Sequence, residues 1–285
     1  MKRTLQNLLL RAYKLVCYSG LLSTRWGAAA FEAAYDLYKS FVEAREVEGL
    51  EGLVAPGSWT IDVGANAGFF TEYFARWVSD GGKVLAIEPE AANFERLKRR
   101  LDRRALAARV DSIQGAAAEK PGTLRLAVNP FHPADHRLSA DGIPVPAVTL
   151  DGEMAARGWP KVSLVKIDVQ GAEMRVLGGA AELVNRFHPA VYMEVDDDAL
   201  RQMGTSAEEV LERMLSLGYR VHRLEKGRPG TALEARVALA LCRGGRYHDF
   251  LFLEEKFEYP KMANLAGLQQ ASLASPKPEN CPRGG

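Results

Sequence analysis

The sequence predicts an α/β fold in which helices cover both faces of a mostly parallel β-sheet. Strand and helix patterns alternate from about residue 59 to residue 253, as they do in doubly wound sheets. The 285 residues, 47% of them hydrophobic, suffice for one large domain with or without an appendage. A turn containing Gly64 and Gly68 joins the first strand pattern to the first helix pattern, so backbone can approach a ligand closely there.

Short apolar runs define the strands of the predicted sheet. They lie at residues 59–63, 83–88, 109–114, 163–168, 190–194, 219–224 and 249–253. Apolar residues at helical spacing predict the main helices, at residues 67–78, 91–103, 173–185 and 206–217. Residues 122–150 interrupt the alternation, because two strand patterns there flank a loop containing Pro and Gly. We therefore expect a β-hairpin inserted between the third and fourth strands of the core.

The two ends of the chain predict separate segments. The apolar spacing of residues 1–50 predicts two amphipathic helices, the first at residues 1–18 with basic side chains beside a leucine-rich stripe. That helix is too short and too charged to span a membrane, and no signal-peptide pattern is present. We expect it to pack on the domain or on a partner subunit, and peripheral contact with a membrane surface is the alternative. Residues 259–285 lack periodicity and predict a disordered tail.

Charge and cysteine content narrow the classes of partner. The formal net charge is +1, without the basic excess typical of proteins that bind nucleic acid. The three cysteines are far apart and odd in number, so they form neither a disulfide framework nor a zinc pattern. We expect a cytoplasmic protein that does not bind nucleic acid.

The glycine turn predicts a nucleoside site. A dinucleotide pattern would need glycine at position 66, where this chain has Asn66. Asp62 precedes Gly64 and Gly68, and Glu88 ends the second strand, placed to accept hydrogen bonds from both hydroxyls of a ribose. Two acidic residues suit a cationic or neutral nucleoside better than a pyrophosphate. The combination predicts a site for S-adenosylmethionine (SAM).

Two small residues follow the third strand at the same predicted edge of the sheet. Ala116 and Ala117 leave space for a flat ring, so they are candidates for the adenine side of the cofactor site. Tight packing explains them equally well.

Candidate catalytic residues lie at later strand ends and in the inserted hairpin. Asp168 ends the fourth strand, where it can orient or deprotonate a substrate hydroxyl, and Glu194 ends the fifth. His136 in the hairpin can act as a general base near neutral pH, and Arg137 beside it can bind substrate. A magnesium site formed by Asp168 and Glu194 is conceivable, but two carboxylates do not establish it, so no metal is assigned.

Several segments together resemble the FkbM family of SAM-dependent methyltransferases. They are residues 61–68 (IDVGANAG), 87–89 (IEP), 165–173 (VKIDVQGAE) and 176–180 (VLGGA). The resemblance runs from about residue 35 to residue 253 and implies a class I, Rossmann-like methyltransferase fold with seven strands, of which the last is antiparallel. We place the methyltransferase domain at residues 51–258. Residues 135–138 (DHRL) are similar to a loop motif of many members, which supports His136. Many members have Glu where this chain has Gln170, and we assign that residue no role.

The resemblance implies O-methylation of a hydroxyl on a carbohydrate or natural-product metabolite. We expect His136, then Asp168, to act as the base, with Glu194 in support. The helix bearing Tyr35 and Tyr38 would cover the site, with Tyr38 contacting substrate. Alternatives are an N-methyltransferase or macromolecule methyltransferase on the same fold, and a non-catalytic SAM-binding scaffold at a membrane surface. The sequence does not specify the acceptor or the oligomeric state.

Overall fold

The structure, a computed structural model, describes residues 47–129, 136–225 and 227–257. The proposed membrane-contacting helix at residues 1–18, Tyr35, Tyr38 and the tail at residues 259–285 lie outside the described residues. The boundaries of the three predicted segments therefore remain predictions. None of the helices in the described ranges is long and apolar enough to cross a membrane.

The described residues form thirteen strands. They are β1 (Trp59–Val63), β2 (Val84–Glu88), β3 (Val110–Gln114), β4 (Ala116–Ala117), β5 (Gly122–Ala127), β6 (Arg137–Leu138), β7 (Ile143–Val148), β8 (Val162–Ile167), β9 (Ala190–Asp196), β10 (Tyr219–His222), β11 (Leu224–Glu225), β12 (Arg228–Pro229) and β13 (Tyr247–Glu254). The α-helices of the same ranges are α1 (Phe69–Trp77), α2 (Ala91–Arg103), α3 (Leu150–Ala156), α4 (Glu173–Gly178), α5 (Ala181–Phe187), α6 (Asp197–Gln202), α7 (Ala207–Ser216) and α8 (Ala235–Cys242).

Seven strands form the central sheet in the order β10-β13-β9-β8-β1-β2-β3. β13 runs antiparallel to both of its neighbours, and the other adjacent pairs are parallel. This order and direction confirm the predicted class I fold with its antiparallel last strand. Apolar cores cover both faces of the sheet, one under α1 and α2 and the other under α3 to α5, α7 and α8.

The inserted hairpin is larger than predicted. β5 and β7 form its antiparallel pair, and β4 and β6 extend it to a four-stranded sheet in the order β4-β7-β5-β6. Ala116, Leu126 and Val145 give this small sheet a core of its own. The second strand of the hairpin, predicted at residues 145–150, ends at Val148, because the hydroxyl of Thr149 caps α3 by accepting from the backbone N–H of Gly152 at 3.0 Å.

The helix predicted at residues 173–185 is two helices, α4 and α5. Between them Gly179 packs so closely on the backbone of Ala118 that a Cβ would lie 2.0 Å from its carbonyl oxygen. The Asp151 carboxylate then accepts from the backbone N–H groups of Glu182 and Leu183 in the first turn of α5. Contacts with distant segments therefore end one helix and begin the next.

Candidate functional site

A cavity lies at the carboxyl ends of β1, β2 and β8, bordered on one side by the small sheet. It holds about 960 Å³ of empty space, including its open mouth. Seven of the sequence-predicted site residues line it: Gly64, Asn66, Glu88, Ala116, Ala117, His136 and Asp168. The cavity thus brings candidate cofactor residues and candidate catalytic residues to one place.

The turn after β1 is held by left-handed backbone at three positions. The φ angles of Gly64, Asn66 and Gly68 are +76°, +49° and +83°. A Cβ at Gly64 would lie 1.9 Å from the carbonyl oxygen of Asp168, and one at Gly68 would lie 2.5 Å from Leu97 Cδ1. The backbone contact with Asp168 therefore requires glycine at position 64, whereas the left-handed φ favours glycine at position 68.

Glu88 connects this turn to the end of β2. Its Oε2 accepts from the backbone N–H of Asn66 at 2.8 Å, and its Oε1 accepts from the backbone N–H of Glu90 at 2.9 Å. Burial raises the pKa of Glu88 to about 7, although the two backbone donors and the Lys166 ammonium act in the opposite direction. Each carboxylate oxygen keeps a second lone pair, so Glu88 can still accept from two ligand hydroxyls.

Asp62 is fully buried and faces protein groups. Its Oδ2 accepts from the Thr71 hydroxyl at 2.6 Å, and Lys166 Nζ lies 3.4 Å from Oδ1 in an ion pair without the alignment of a hydrogen bond. Lys166 Nζ also donates to the carbonyl oxygen of Gly64 at 2.8 Å and lies 3.6 Å from Asp168 Oδ2. Asp62 thus anchors α1 and Lys166, a cavity-lining residue that sequence reasoning missed. The one sequence feature that marks Lys166 is a charge inside an apolar strand.

Asp168, Gln170 and Glu194 form a linked group. Gln170 Nε2 donates to Asp168 Oδ1 at 3.1 Å and to Glu194 Oε1 at 2.9 Å. Burial raises the pKa of Glu194 well above its usual range, and the neighbouring carboxylates of Asp168, Asp249 and Glu173 raise it further. Within the described ranges, no three or more His, Cys, Asp or Glu side chains are grouped to hold a metal ion. The amide of Gln170 stands between the two carboxylates considered for magnesium.

His136 and Arg137 diverge from one another. The backbone N–H of Asn129 donates to His136 Nδ1 at 3.0 Å, and the His136 ring lines the cavity. Arg137 Nη1 donates instead to Gln202 Oε1 at 2.8 Å, which ties the small sheet to α6. Arg137 is not among the residues that line the cavity.

The cavity residues suit a nucleoside. Glu88 offers carboxylate lone pairs at the end of β2, as ribose hydroxyls require. Ala116 and Ala117 lie beside Leu126 and Leu138 of the small sheet, so small and apolar side chains border that side of the cavity. A flat apolar ring fits such a surface. The donor set therefore fits the nucleoside part of SAM.

The buried carboxyl group of Glu173 should make the stability of the protein depend on pH. It is 2% exposed, its Oε1 accepts from the backbone N–H of Gly171, and its Oε2 has no hydrogen-bond partner. Burial, with a contribution from Asp168, raises its pKa from 4.5 to about 7. The folded state therefore binds this proton more tightly than the unfolded state, so stability falls as pH rises from about 4.5 to about 7.

Glu173→Gln is expected to remove this loss. Relative to the wild type, its free energy of unfolding should be about 2 kcal/mol larger at pH 8 than at pH 5, which means that the variant is the more stable of the two at high pH. Urea unfolding of both proteins at the two pH values measures the difference. Glu95→Gln, at an exposed position on α2, is the control and should show no such pH dependence. An equal effect of Glu173→Gln at both pH values would contradict the prediction.

Comparison with known proteins gives a family match. The model of the Methyltransferase FkbM domain matches residues 62–221, more than half of the chain. A curated relative from Streptomyces tacrolimicus, 31-O-demethyl-FK506 methyltransferase FkbM, is 30% identical over 161 residues, and the match covers 45% of this chain. The chain spans 61% of the length of that relative.

Solved structures give more distant matches. Methyltransferase FkbM from Methylobacillus flagellatus KT is 16% identical with a TM-score of 0.46, covering 76% of this chain and 50% of that one. A SAM-dependent methyltransferase from Aquifex aeolicus is 16% identical with a TM-score of 0.42, and the match covers 75% of this chain and 92% of that one. A SAM-dependent methyltransferase from Geobacter sulfurreducens, in complex with S-adenosyl-L-homocysteine, is 18% identical with a TM-score of 0.36, and the match covers 62% of this chain and 64% of that one. The strand order itself defines the fold, and these distant matches add nothing to the site.

Proposed function

We propose, since the chain belongs to the FkbM family of SAM-dependent methyltransferases, that it methylates a hydroxyl oxygen of a carbohydrate or natural-product metabolite. One observation carries the proposal: the Asp168 carboxylate lines the same cavity as Glu88 and is one-third exposed there. A proton acceptor beside the cofactor site is what a weakly acidic hydroxyl requires. The Streptomyces tacrolimicus relative is named for a substrate that lacks an O-methyl group, 31-O-demethyl-FK506, and this supports an oxygen acceptor.

The cavity residues divide between cofactor and acceptor. SAM, when bound, supplies a methyl group made electrophilic by the positively charged sulfur. Glu88 would hold the ribose hydroxyls, and Ala116 and Ala117 would border the adenine. The turn from Gly64 to Gly68 presents backbone groups and the start of α1 to the same space. Holding cofactor and acceptor in line in one cavity is the main catalytic contribution of such a site.

The tautomer of His136 favours Asp168 as the base, which reverses the order expected from the sequence. His136 Nδ1 accepts a hydrogen bond from the backbone N–H of Asn129, so the neutral ring carries its proton on Nε2. A ring nitrogen that already carries a proton donates and cannot take another. In this proposal Asp168 takes the proton of the acceptor hydroxyl, and His136 donates a hydrogen bond within the cavity.

Two other functions remain as alternatives. An N-methyltransferase or macromolecule methyltransferase could use the same fold, because the fold does not determine the acceptor. A SAM-binding scaffold without activity could attach to a membrane through residues 1–18, which liposome sedimentation with and without those residues would test. A cytoplasmic location belongs to the proposal as well.

Methyl transfer from tritiated SAM tests the proposal. The protein is incubated with glycan and small-metabolite fractions, and separately with protein and RNA fractions. We expect label in a glycan or metabolite fraction, released by acids that cleave methyl ethers. Label confined to protein or RNA would overturn the proposal in favour of a macromolecule methyltransferase. SAM binding without labelling of any fraction would favour the scaffold.

A further inference from the structure

We infer that Gln170 is a positioning residue, whose amide fixes the Asp168 carboxylate relative to Glu194 and directs one oxygen of Asp168 towards the acceptor. This inference rests on the proposed function, in which Asp168 takes the proton of the acceptor. Gln170 itself lines the cavity. The sequence alone assigned no role to Gln170.

The hydrogen bonds of the Gln170 side chain define the arrangement. Its Nε2 has two hydrogens, and the two acceptors around it are Asp168 Oδ1 at 3.1 Å and Glu194 Oε1 at 2.9 Å. On the other side of Asp168, Lys166 Nζ lies 3.6 Å from Oδ2. The carboxylate of Asp168 is therefore held from both sides, with Oδ1 bound by the amide and Oδ2 next to the ammonium.

The amide also separates charges that would otherwise repel one another. Three carboxylates act on Glu194 electrostatically: those of Asp168, Asp249 and Glu173. Asp249 lies on β13 directly opposite Glu194. Lys166 is the cation that faces them. A neutral donor at position 170 can bond to two carboxylates at once, whereas a carboxylate there would add a further negative charge.

The backbone of Gln170 indicates that its side chain is needed. Its φ angle is +52°, in the left-handed region that disfavours side chains other than those of Asn and Asp. The next residue, Gly171, has a φ of +100°, and a Cβ there would lie 2.5 Å from the carbonyl oxygen of Ala199. Glycine at position 170 would adopt a φ of +52° with less strain than glutamine. Strained residues of this kind cluster at functional sites.

Gln170→Gly separates positioning from folding. Removing the side chain relieves the backbone but also removes its two hydrogen bonds, and because these effects oppose each other the thermal midpoint should change little. The kcat for transfer from tritiated SAM should nevertheless fall about 10-fold to 100-fold, because the base loses its orientation. The Kd for SAM, measured by calorimetry, should stay within about twofold of the wild type. Ala105→Gly, which relieves a left-handed φ of +55° away from the cavity, is the matched control and should leave kcat unchanged.

A second measurement does not depend on the acceptor. The titration of the Glu194 carboxyl is followed by ¹³C NMR in the wild type, in Gln170→Gly and in Gln170→Glu. Loss of the amide donor should move the Glu194 midpoint about one pH unit higher in Gln170→Gly. Gln170→Glu should move it at least as far, because it also adds a negative charge.

The outcomes distinguish this inference from the proposed function. A lower kcat with unchanged SAM affinity, together with the moved Glu194 titration, supports it. A Gln170→Gly enzyme with the kcat of the wild type overturns it. If the wild type methylates no fraction, the proposed function fails, and the titration alone tests the role of Gln170. A Glu194 midpoint that is the same in all three proteins then overturns the inference.

Discussion

Asp168→Asn should lower kcat for methyl transfer about a thousandfold while leaving the Kd for SAM within about threefold of the wild-type value. Asparagine has the size of aspartate, and its carbonyl oxygen can still accept from Gln170 Nε2. Lys166 keeps its hydrogen bond to Gly64 and its ion pair with Asp62. The substitution therefore removes the proton acceptor with little change in packing. Single-turnover transfer from tritiated SAM to the identified acceptor measures the rate.

His136→Ala provides the comparison that separates the two candidate bases. A hydrogen-bond donor contributes less than the base, so we expect a loss of about 10-fold. The reverse ranking, with full activity in Asp168→Asn and none in folded His136→Ala, would contradict the assignment of Asp168 as the base. It would also require a different His136 tautomer in the complex.

Glu88 should make SAM binding depend on pH. Its pKa of about 7 in the unliganded protein means that most molecules carry a protonated Glu88 at pH 6 and an ionised one at pH 8. The ionised form accepts from both ribose hydroxyls, so affinity should increase about 10-fold from pH 6 to pH 8. Isothermal titration calorimetry at the two pH values, in buffers of different ionisation enthalpy, measures both the affinity and the proton released.

Two controls isolate Glu88 from the titration of the ligand. 5′-Methylthioadenosine has no amino acid part, so its binding should show the same pH dependence without a titrating ligand ammonium. Glu88→Gln should bind about 10-fold to 100-fold more weakly at pH 8 and should lose the pH dependence. Its amide also cannot accept from both Asn66 and Glu90, so one bond that holds the turn is lost. A pH-dependent affinity that persists in Glu88→Gln would mean that another group titrates on binding.

Local patterns were sufficient to predict the central sheet. Buried strands are apolar runs, and each of the seven lies within two residues of its predicted bounds. The short helices α3, α6 and α8 were missed, because six to eight residues contain too few turns for helical periodicity to stand out. The division between α4 and α5 depends on Gly179 meeting Ala118, which lies some 60 residues earlier in the chain, and no local pattern indicates that contact.

The sequence predicted most of the residues that line the candidate site, but it did not predict which groups they contact. Strand ends brought Glu88 and Asp168 to one edge, as the sequence indicated. Asp62 belongs to the cofactor site predicted from the sequence, but the pairing of β1 with β8 places it opposite Lys166, whose ammonium forms an ion pair with its carboxylate. The His136 tautomer depends on a backbone N–H donated by Asn129, seven residues earlier in the chain. Such partners are set by register and tertiary packing, which residue type and spacing do not encode.

The central claim is that one cavity holds the cofactor on Glu88 and places the reacting centre at Asp168. A crystal structure of the protein with S-adenosylhomocysteine tests it most directly. We expect both ribose hydroxyls within hydrogen-bond distance of the Glu88 carboxylate, the adenine beside Ala116 and Ala117, and the sulfur facing Asp168. A cofactor bound elsewhere, or one whose sulfur faces away from Asp168, would contradict the account.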